Sequence, residues 1–297
     1  AMRLLVGSAV VISGRGEGLR GAAKEPAAAA PGGLCKVADH VKCPGSGASC
    51  SGDQCCPGIP ETQNQTFPCP SAPFGSRACA SHVKVGNCVP CLCSFDIDRT
   101  LTGKQGALGR CPENLELPIV DWAYGGGNLT LSPAGRSIGG TFCARYGCYA
   151  AVVTAGDGSG YHSAERQELE KRLGEFGGLP SLEWSGPSKY REGRTNCSGW
   201  PVNGTLVAGC SDGTKQFAVA SVVAWLEKTQ GAKVAPEAVW HYDDKDSNVL
   251  PFMGTGFNAR EVSCETRDGN KGLCGATDAE IVDELGVVSC QSSLLLP

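Results

Sequence analysis

Long apolar runs and clusters of basic side chains are both missing from this 297-residue chain. No stretch reaches the roughly 18 consecutive apolar residues that a membrane-spanning helix needs, so no membrane span is predicted. The net charge is −4 at pH 7, and no group of Lys and Arg residues could follow a phosphate backbone. These absences argue against an integral membrane protein and against a nucleic-acid-binding protein.

A zinc site and a P-loop are also poorly supported. Cys88 and Cys91 have the spacing of a metal-binding pair, but no second Cys or His pair stands at matching spacing. The Gly-rich stretch GGGNLT (125–130) has no neighbouring Lys and Ser/Thr of the kind that a P-loop uses, and we predict that it is a turn.

Cysteine, in contrast, is abundant, with 18 residues along the chain. So many free thiols would be a liability, and the number therefore predicts disulfides formed in an oxidising compartment. The N-terminus has a weak signal-peptide pattern, which agrees with this compartment. Four N-glycosylation sequons point the same way, at Asn64, Asn128, Asn196 and Asn203. We therefore expect an extracytosolic protein, either secreted or held in another oxidising lumen.

The chain divides into three parts by composition. Residues 1–33 are a signal-like and linker segment, rich in Ala, Gly and Pro towards its end. Residues 34–88 hold eight cysteines with almost no periodicity, which predicts a disulfide-rich module whose stability comes from cross-links. This module could bind a protein or glycan partner, or serve only as a protective cap. Residues 89–297 form the third part.

This third part has the pattern of an α/β domain. Short apolar runs alternate with segments of helical periodicity, which predicts a parallel sheet covered by helices in a three-layer, Rossmann-like arrangement. The predicted strands lie in 89–98, 148–160, 237–244 and 259–264, and the predicted helices in 163–177, 214–231 and 277–286.

Polar side chains stand where several of these predicted strands end. Asp96 and Asp98 follow the first strand, Thr154 ends the second, and Asp243 and Asp244 end the third. Because ligands of a parallel α/β sheet bind beyond the carboxyl ends of its strands, we expect these side chains to meet there. Two aspartates so close together need a cation, a shared proton or solvent between them.

The order of these residues resembles the haloacid dehalogenase (HAD) superfamily, whose members are mostly magnesium-dependent phosphohydrolases. The resemblance covers about residues 89–290. It rests on FDIDRT with Asp96 and Asp98, on VVTAG with Thr154, on GTKQFA with Lys215, and on HYDDKDSN with Asp243 and Asp244. The first motif is highly specific, and the second and third gain weight only from its presence.

The resemblance implies a role for each residue. Asp96 would attack phosphorus and form an aspartyl-phosphate, and Asp98 would act as general acid and base. Thr154 and Lys215 would bind the phosphoryl oxygens. The metal would be Mg²⁺, held by Asp96, the backbone carbonyl of Asp98 and Asp244, with Asp243 and Asn248 as further candidates.

Two features depart from the family pattern or leave a choice open. Asn248 stands four residues after Asp244, where many members carry a second aspartate, and it could bind the metal or orient a carboxylate. Lys189 competes with Lys215, which is preferred because it opens an apolar helix just before the acidic strand. The alternative to a phosphatase is a catalytically silent scaffold whose cysteine-rich module binds a partner. The substrate, a phosphomonoester, is not identified by the sequence.

Overall fold

The computed structural model describes residues 90–293, apart from 146–147, 176–177 and 190–192, together with the backbone of three short strands before them. Those strands form an antiparallel sheet within and just beyond the predicted cysteine-rich module. The signal-like segment 1–33 and the rest of the module lie outside the described residues.

The elements are as follows in chain order. The strands are β1 (Leu34–Val37), β2 (Thr66–Pro68), β3 (Val85–Val89), β4 (Leu92–Phe95), β5 (Leu115–Asp121), β6 (Gly127–Leu131), β7 (Tyr149–Thr154), β8 (Trp184–Ser185), β9 (Leu206–Ala208), β10 (Val239–Asp243), β11 (Asn258–Glu261), β12 (Arg267–Asp268), β13 (Lys271–Gly272) and β14 (Val287–Val288). The α-helices are α1 (Pro133–Arg136), α2 (Phe142–Arg145), α3 (Ala164–Gly174), α4 (Lys215–Gln230), α5 (Asp246–Val249) and α6 (Cys290–Ser293). A π-helical turn covers Ile97–Leu101.

A seven-stranded parallel sheet forms the centre of the described domain. Its strand order is β14-β11-β10-β4-β7-β9-β8, and every pair of neighbours is parallel. The central strands β4, β7 and β10 are buried along their whole length, as continuous apolar runs predict for strands covered on both faces. The predicted parallel sheet is confirmed.

Two of the predicted helices are also confirmed, and the structure shows which residues start or end them. The Ser163 hydroxyl accepts a hydrogen bond from the Arg166 amide at 3.1 Å and caps the start of α3. Helix α4 ends at Gly231, which takes the left-handed conformation with φ of 67°. The buried face of α4, with Ala218, Val219, Val222 and Leu226, joins the core.

The helix predicted over 277–286 is wrong beyond its first turn. Only a 3-10 turn, Asp278–Glu280, forms there, with Thr277 as its N-cap residue. Two backbone carbonyls of this segment accept hydrogen bonds from side chains of β10. The Tyr242 hydroxyl donates to the Val282 carbonyl, and the Trp240 indole donates to the Glu284 carbonyl. Contacts with the sheet therefore override the local helical pattern.

All ten cysteines from Cys91 onwards form disulfides. The pairs are Cys91–Cys148, Cys93–Cys143, Cys111–Cys274, Cys197–Cys210 and Cys264–Cys290. Cys91 is therefore not available as a zinc ligand, and five disulfides in one domain indicate an oxidising environment. The side chains of the eight earlier cysteines lie outside the described residues. Within those described, no helix has the length and apolar character needed to cross a membrane.

A β-hairpin, β5–β6, leaves the domain between β4 and β7 and carries the Gly-rich stretch at its turn. Gly125, Gly126 and Gly127 all have positive φ, which confirms the predicted turn. The hairpin is joined to the start of the domain by the bridge between Thr102 and Leu131. This arrangement places the tip of the hairpin close to the residues that follow β4.

Candidate functional site

The polar residues that end the central strands converge at one edge of the sheet. Asp96 directly follows β4, the middle strand, and its neighbours β7 and β10 end in Thr154 and Asp243. Lys215 is the first residue of α4. All four side chains are buried, as is Asp244. The predicted meeting point of the four motifs is therefore observed.

Lys215 links two of these aspartates. Its Nζ lies 2.9 Å from Asp96 Oδ1 and 2.5 Å from Asp243 Oδ2. Burial alone would lower the pKa of the Lys215 ammonium, but the charges of Asp243 and Asp96 outweigh it and raise the pKa above its usual value. Lys215 therefore stays protonated. Lys189, the competing candidate, forms an ion pair with Glu183 instead, and the distance from its Nζ to Glu183 Oε1 is 2.9 Å.

Asp243 is saturated by protein donors. Besides Lys215, its carboxylate accepts hydrogen bonds from the Lys245 amide and the Asn248 side-chain amide, both at 3.0 Å. Burial opposes its charge, but the Lys215 ammonium lowers the pKa of Asp243 well below its usual range. Asn248 accepts from the Gly213 amide at 2.9 Å through its own oxygen, so this side chain orients Asp243.

Asp244 differs from Asp243 because one of its oxygens is free. Oδ2 accepts from the Gly272 amide at 2.8 Å, whereas Oδ1 is buried and has no hydrogen-bond partner among the described residues. Burial, and then the charges of Asp243 and Asp96, raise the pKa of Asp244 well above its usual value. A buried carboxylate oxygen without a donor is costly unless a ligand or proton serves it.

The cluster of Asp96, Asp243 and Asp244 could hold a metal ion. Each offers an oxygen, and the three oxygens lie within 4.8 Å of one another. Burial, then the charge of Asp243, raise the pKa of Asp96 despite the opposing effect of Lys215. Three carboxylates facing one ammonium leave an excess of negative charge, which a divalent cation would neutralise.

Thr154 lies beside Asp96, and Gly156 lies beside Asp98. The Thr154 hydroxyl accepts a hydrogen bond from the Gly156 amide at 3.2 Å and also hydrogen-bonds Asp96. The bond to Asp96 acts to lower the pKa of that carboxyl, against the larger effect of burial. A Cβ on Gly156 would lie only 3.2 Å from Asp98 Oδ2, so this glycine lets Asp98 approach closely.

Asp98 belongs to a second group of carboxyls. Within the π-helical turn its backbone has φ −64° and ψ 119°, and the next residue, Arg99, has a positive φ. Asp98, Asp121 and Glu165 each offer an oxygen within 4.8 Å of the others. Burial, followed by the charges of Asp96 and Asp121, raises the pKa of Asp98 to about 7. This carboxyl can therefore carry a proton near neutral pH.

The sequence did not single out Asp121 or Glu165. Asp121 is the last residue of β5, and Glu165 lies in the first turn of α3. Burial, then the charge of Asp121, raises the pKa of Glu165 to about 8. An acid in the first turn of a helix normally suits the helix dipole, so the pattern alone gave no reason to place Glu165 beside the motif residues. Its position follows only from the packing of α3.

His162 and His241 have different surroundings. His241 is buried, with Nδ1 3.1 Å from the Ser94 hydroxyl and Nε2 3.5 Å from Asp243 Oδ2. Burial lowers the pKa of His241, so the ring is neutral and supports Asp243. His162 is exposed and packs beside Tyr161.

A scan of the chain against protein-family models finds no match, and a search against curated proteins finds none at a significant level. The function of this chain therefore has to be inferred from the geometry of the two carboxyl clusters and of the residues around them.

Proposed function

We propose that this protein is a magnesium-dependent phosphohydrolase of the HAD type, acting on a phosphomonoester through an aspartyl-phosphate. One observation carries the proposal. Asp96, at the carboxyl end of the middle strand of a parallel sheet, lies 2.9 Å from the buried Lys215 ammonium and in one cluster with Asp244, whose Oδ1 has no partner among the described residues. A nucleophilic carboxylate, a fixed positive charge and a free metal ligand therefore share one site.

In the first step, an Asp96 oxygen forms a bond to phosphorus while the bond from phosphorus to the ester oxygen breaks. Lys215 and the Thr154 hydroxyl neutralise the charge on the phosphoryl oxygens. Asp98 donates its proton to the departing oxygen, which leaves as an alcohol. The pKa of about 7 suits this task, because a general acid works best when its pKa is close to the working pH.

In the second step, water attacks phosphorus of the aspartyl-phosphate. Asp98, now ionised, takes a proton from that water, and the bond between phosphorus and Asp96 breaks. Inorganic phosphate is released, Asp96 is a carboxylate again, and Asp98 has regained its proton. One residue thus serves as acid and then as base.

Asp96, Asp244 and the backbone carbonyl of Asp98 would hold Mg²⁺, which when bound supplies positive charge for the phosphoryl oxygens. Oxygen-only donors of this kind suit Mg²⁺, which prefers few protein carboxylates beside phosphate and water. The unpartnered Asp244 Oδ1 fits a metal ligand. Asp243 and Asn248, also candidates from the sequence, fit better as supports, because their oxygens already accept protein hydrogen bonds.

The test is hydrolysis of p-nitrophenyl phosphate by the purified, oxidised protein, with Mg²⁺ or with EDTA. We expect Mg²⁺-dependent release of nitrophenol, and we expect Asp96→Asn to lower turnover by at least about 10³-fold because an amide cannot form the acyl-phosphate. Asp283→Asn, the same change at an exposed aspartate, is the matched control and should keep parent activity. Parent turnover in Asp96→Asn would exclude this mechanism and favour the silent-scaffold alternative.

A further inference from the structure

A cavity of about 360 Å³ opens beside Asp98, and its wall is strongly acidic. Four carboxyls line it, those of Asp98, Asp121, Asp157 and Glu165. Arg194 is the single basic residue among the described lining residues, and it is exposed to solvent. Water and salt screen an exposed charge much more than a buried one, so Arg194 balances the buried acids poorly.

Two of these carboxyls are fixed in place by protein donors. Asp121 is fully buried and accepts hydrogen bonds from the Ala123 amide at 2.8 Å and from the Gln105 side chain. Glu165 is 1% exposed, and its Oε2 accepts from the Ser159 hydroxyl. Their orientation towards the cavity is therefore part of the folded structure.

Glu165 Oε1, in contrast, has no hydrogen-bond partner in the part of the chain that the structure describes, although the side chain lines the cavity. This oxygen is therefore available to a hydrogen-bond donor of a ligand that enters the cavity. One oxygen of Glu165 lies within 4.8 Å of an oxygen of Asp98 and of an oxygen of Asp121. One donor group could therefore reach all three residues.

The size and the walls of the cavity favour an organic ammonium group over a second metal ion. The three oxygens lie within 4.8 Å of one another, so an ammonium nitrogen with acceptors at about 2.9 Å could contact all three. The cavity is far larger than one ion, and Trp122 and Tyr124 lie on its wall. Aromatic faces attract organic cations, and Tyr124 already contacts two of the protein's own, Arg99 at 4.6 Å and Lys271 at 4.5 Å. The Trp122 ring is exposed and is the face that a ligand cation would contact.

We propose that this cavity binds a positively charged leaving group, so that the substrate is a phosphomonoester of an amino alcohol. The inference rests on the proposed phosphatase activity and identifies the class of its substrate. Asp98 belongs both to the reacting centre and to the acidic cavity, so the ammonium must lie close to the ester oxygen. A chain of about two carbons between oxygen and nitrogen meets this requirement.

The experiment compares kcat/KM for two esters of equal size, 2-aminoethyl phosphate and n-propyl phosphate, which differ in an ammonium against a methyl group. We expect the parent protein to prefer the aminoethyl ester by at least tenfold. Glu165→Gln and Asp121→Asn should each lower that ratio several-fold. Glu168→Gln, on the same helix but paired with Arg172 outside the cavity, is the matched control and should keep the parent ratio.

Three outcomes would overturn the inference. Equal rates for the two esters, with p-nitrophenyl phosphate still hydrolysed, would exclude the ammonium site and leave the phosphatase proposal standing. Absence of all phosphatase activity would remove both proposals. A second bound Mn²⁺ that is seen by calorimetry, is lost in Glu165→Gln and is retained in Asp244→Ala would show that the cavity holds a metal instead. Thermal unfolding of each variant, compared with the parent, checks that the fold is kept.

Discussion

At the scale of single residues, Asp243 and Asp244 are neighbours in the chain with opposite tasks. Asp243 accepts three hydrogen bonds and holds Lys215, which in turn holds Asp96. Asp244 belongs to the same cluster, and its Oδ1 has no hydrogen-bond partner among the described residues. The two adjacent carboxylates therefore have different roles, since Asp243 holds Lys215 in place and Asp244 is available to a cation.

This division predicts different metal-binding defects for two substitutions. Asp244→Ala should nearly eliminate Mg²⁺ binding, because it removes the carboxylate with the free oxygen. Asn248→Ala should weaken binding only moderately, roughly 10-fold, because Asn248 acts through the orientation of Asp243. Calorimetric titration of Mg²⁺ into both variants measures the difference.

Asp283→Ala serves as the control for loss of one negative charge, since Asp283 is exposed and outside the cluster. Should Asp244→Ala bind Mg²⁺ as well as the parent does, the acidic strand end has been assigned the wrong role. An Asn248→Ala defect as large as that of Asp244→Ala would instead make Asn248 a direct ligand.

At the scale of secondary structure elements, the strands that carry the motif residues were predictable and the final helix was not. β4, β7 and β10 are continuous apolar runs ending in polar residues, so their position in a parallel sheet follows from pattern alone. The segment 277–286 has an equally helical pattern, yet Tyr242 and Trp240 bind its carbonyls. Side chains distant in sequence decided that case, and no local pattern contains them.

The second carboxyl group was unpredictable for a similar reason. Asp121 reaches the site on the β5–β6 hairpin, and Glu165 reaches it on α3. Neither residue stands at the end of a strand of the main sheet, so the rule that ligands bind at strand ends could not identify Asp121 or Glu165. The disulfide partners likewise follow from the fold. Cys93, for example, pairs with Cys143 because β4 lies beside β7 and the short helix that precedes it.

At the scale of the whole molecule, the metal-free site should make stability depend on pH. Burial raises the pKa of Asp98 to about 7 and of Glu165 to about 8, from ordinary values of 3.8 and 4.5. Between these values the folded protein keeps protons that the unfolded chain has already released. The free energy of unfolding therefore falls as pH rises from about 5 to 8, by an amount on the order of a few kcal/mol.

The measurement is denaturant unfolding in EDTA across this pH range. Glu165→Gln should show a shallower decline, because its amide does not titrate, while Glu168→Gln should follow the parent. Addition of Mg²⁺ should stabilise the protein most at the higher pH, where the Asp96 and Asp244 carboxyls are most readily ionised. Stability that increases from pH 5 to 8 without metal would show that these carboxyls are not buried as described.

The most direct test of the central claim is to find the phosphoryl group on Asp96. In Asp98→Asn, p-nitrophenyl phosphate should still phosphorylate Asp96, because nitrophenolate leaves without a general acid, but the attack of water should be slow without its base. The phosphorylated protein should therefore accumulate and survive an acid quench for peptide mapping by mass spectrometry. The account predicts one phosphoryl group on the peptide that contains Asp96. Release of phosphate by the parent, with no phosphoryl group on Asp96 in Asp98→Asn at any time point, would contradict it.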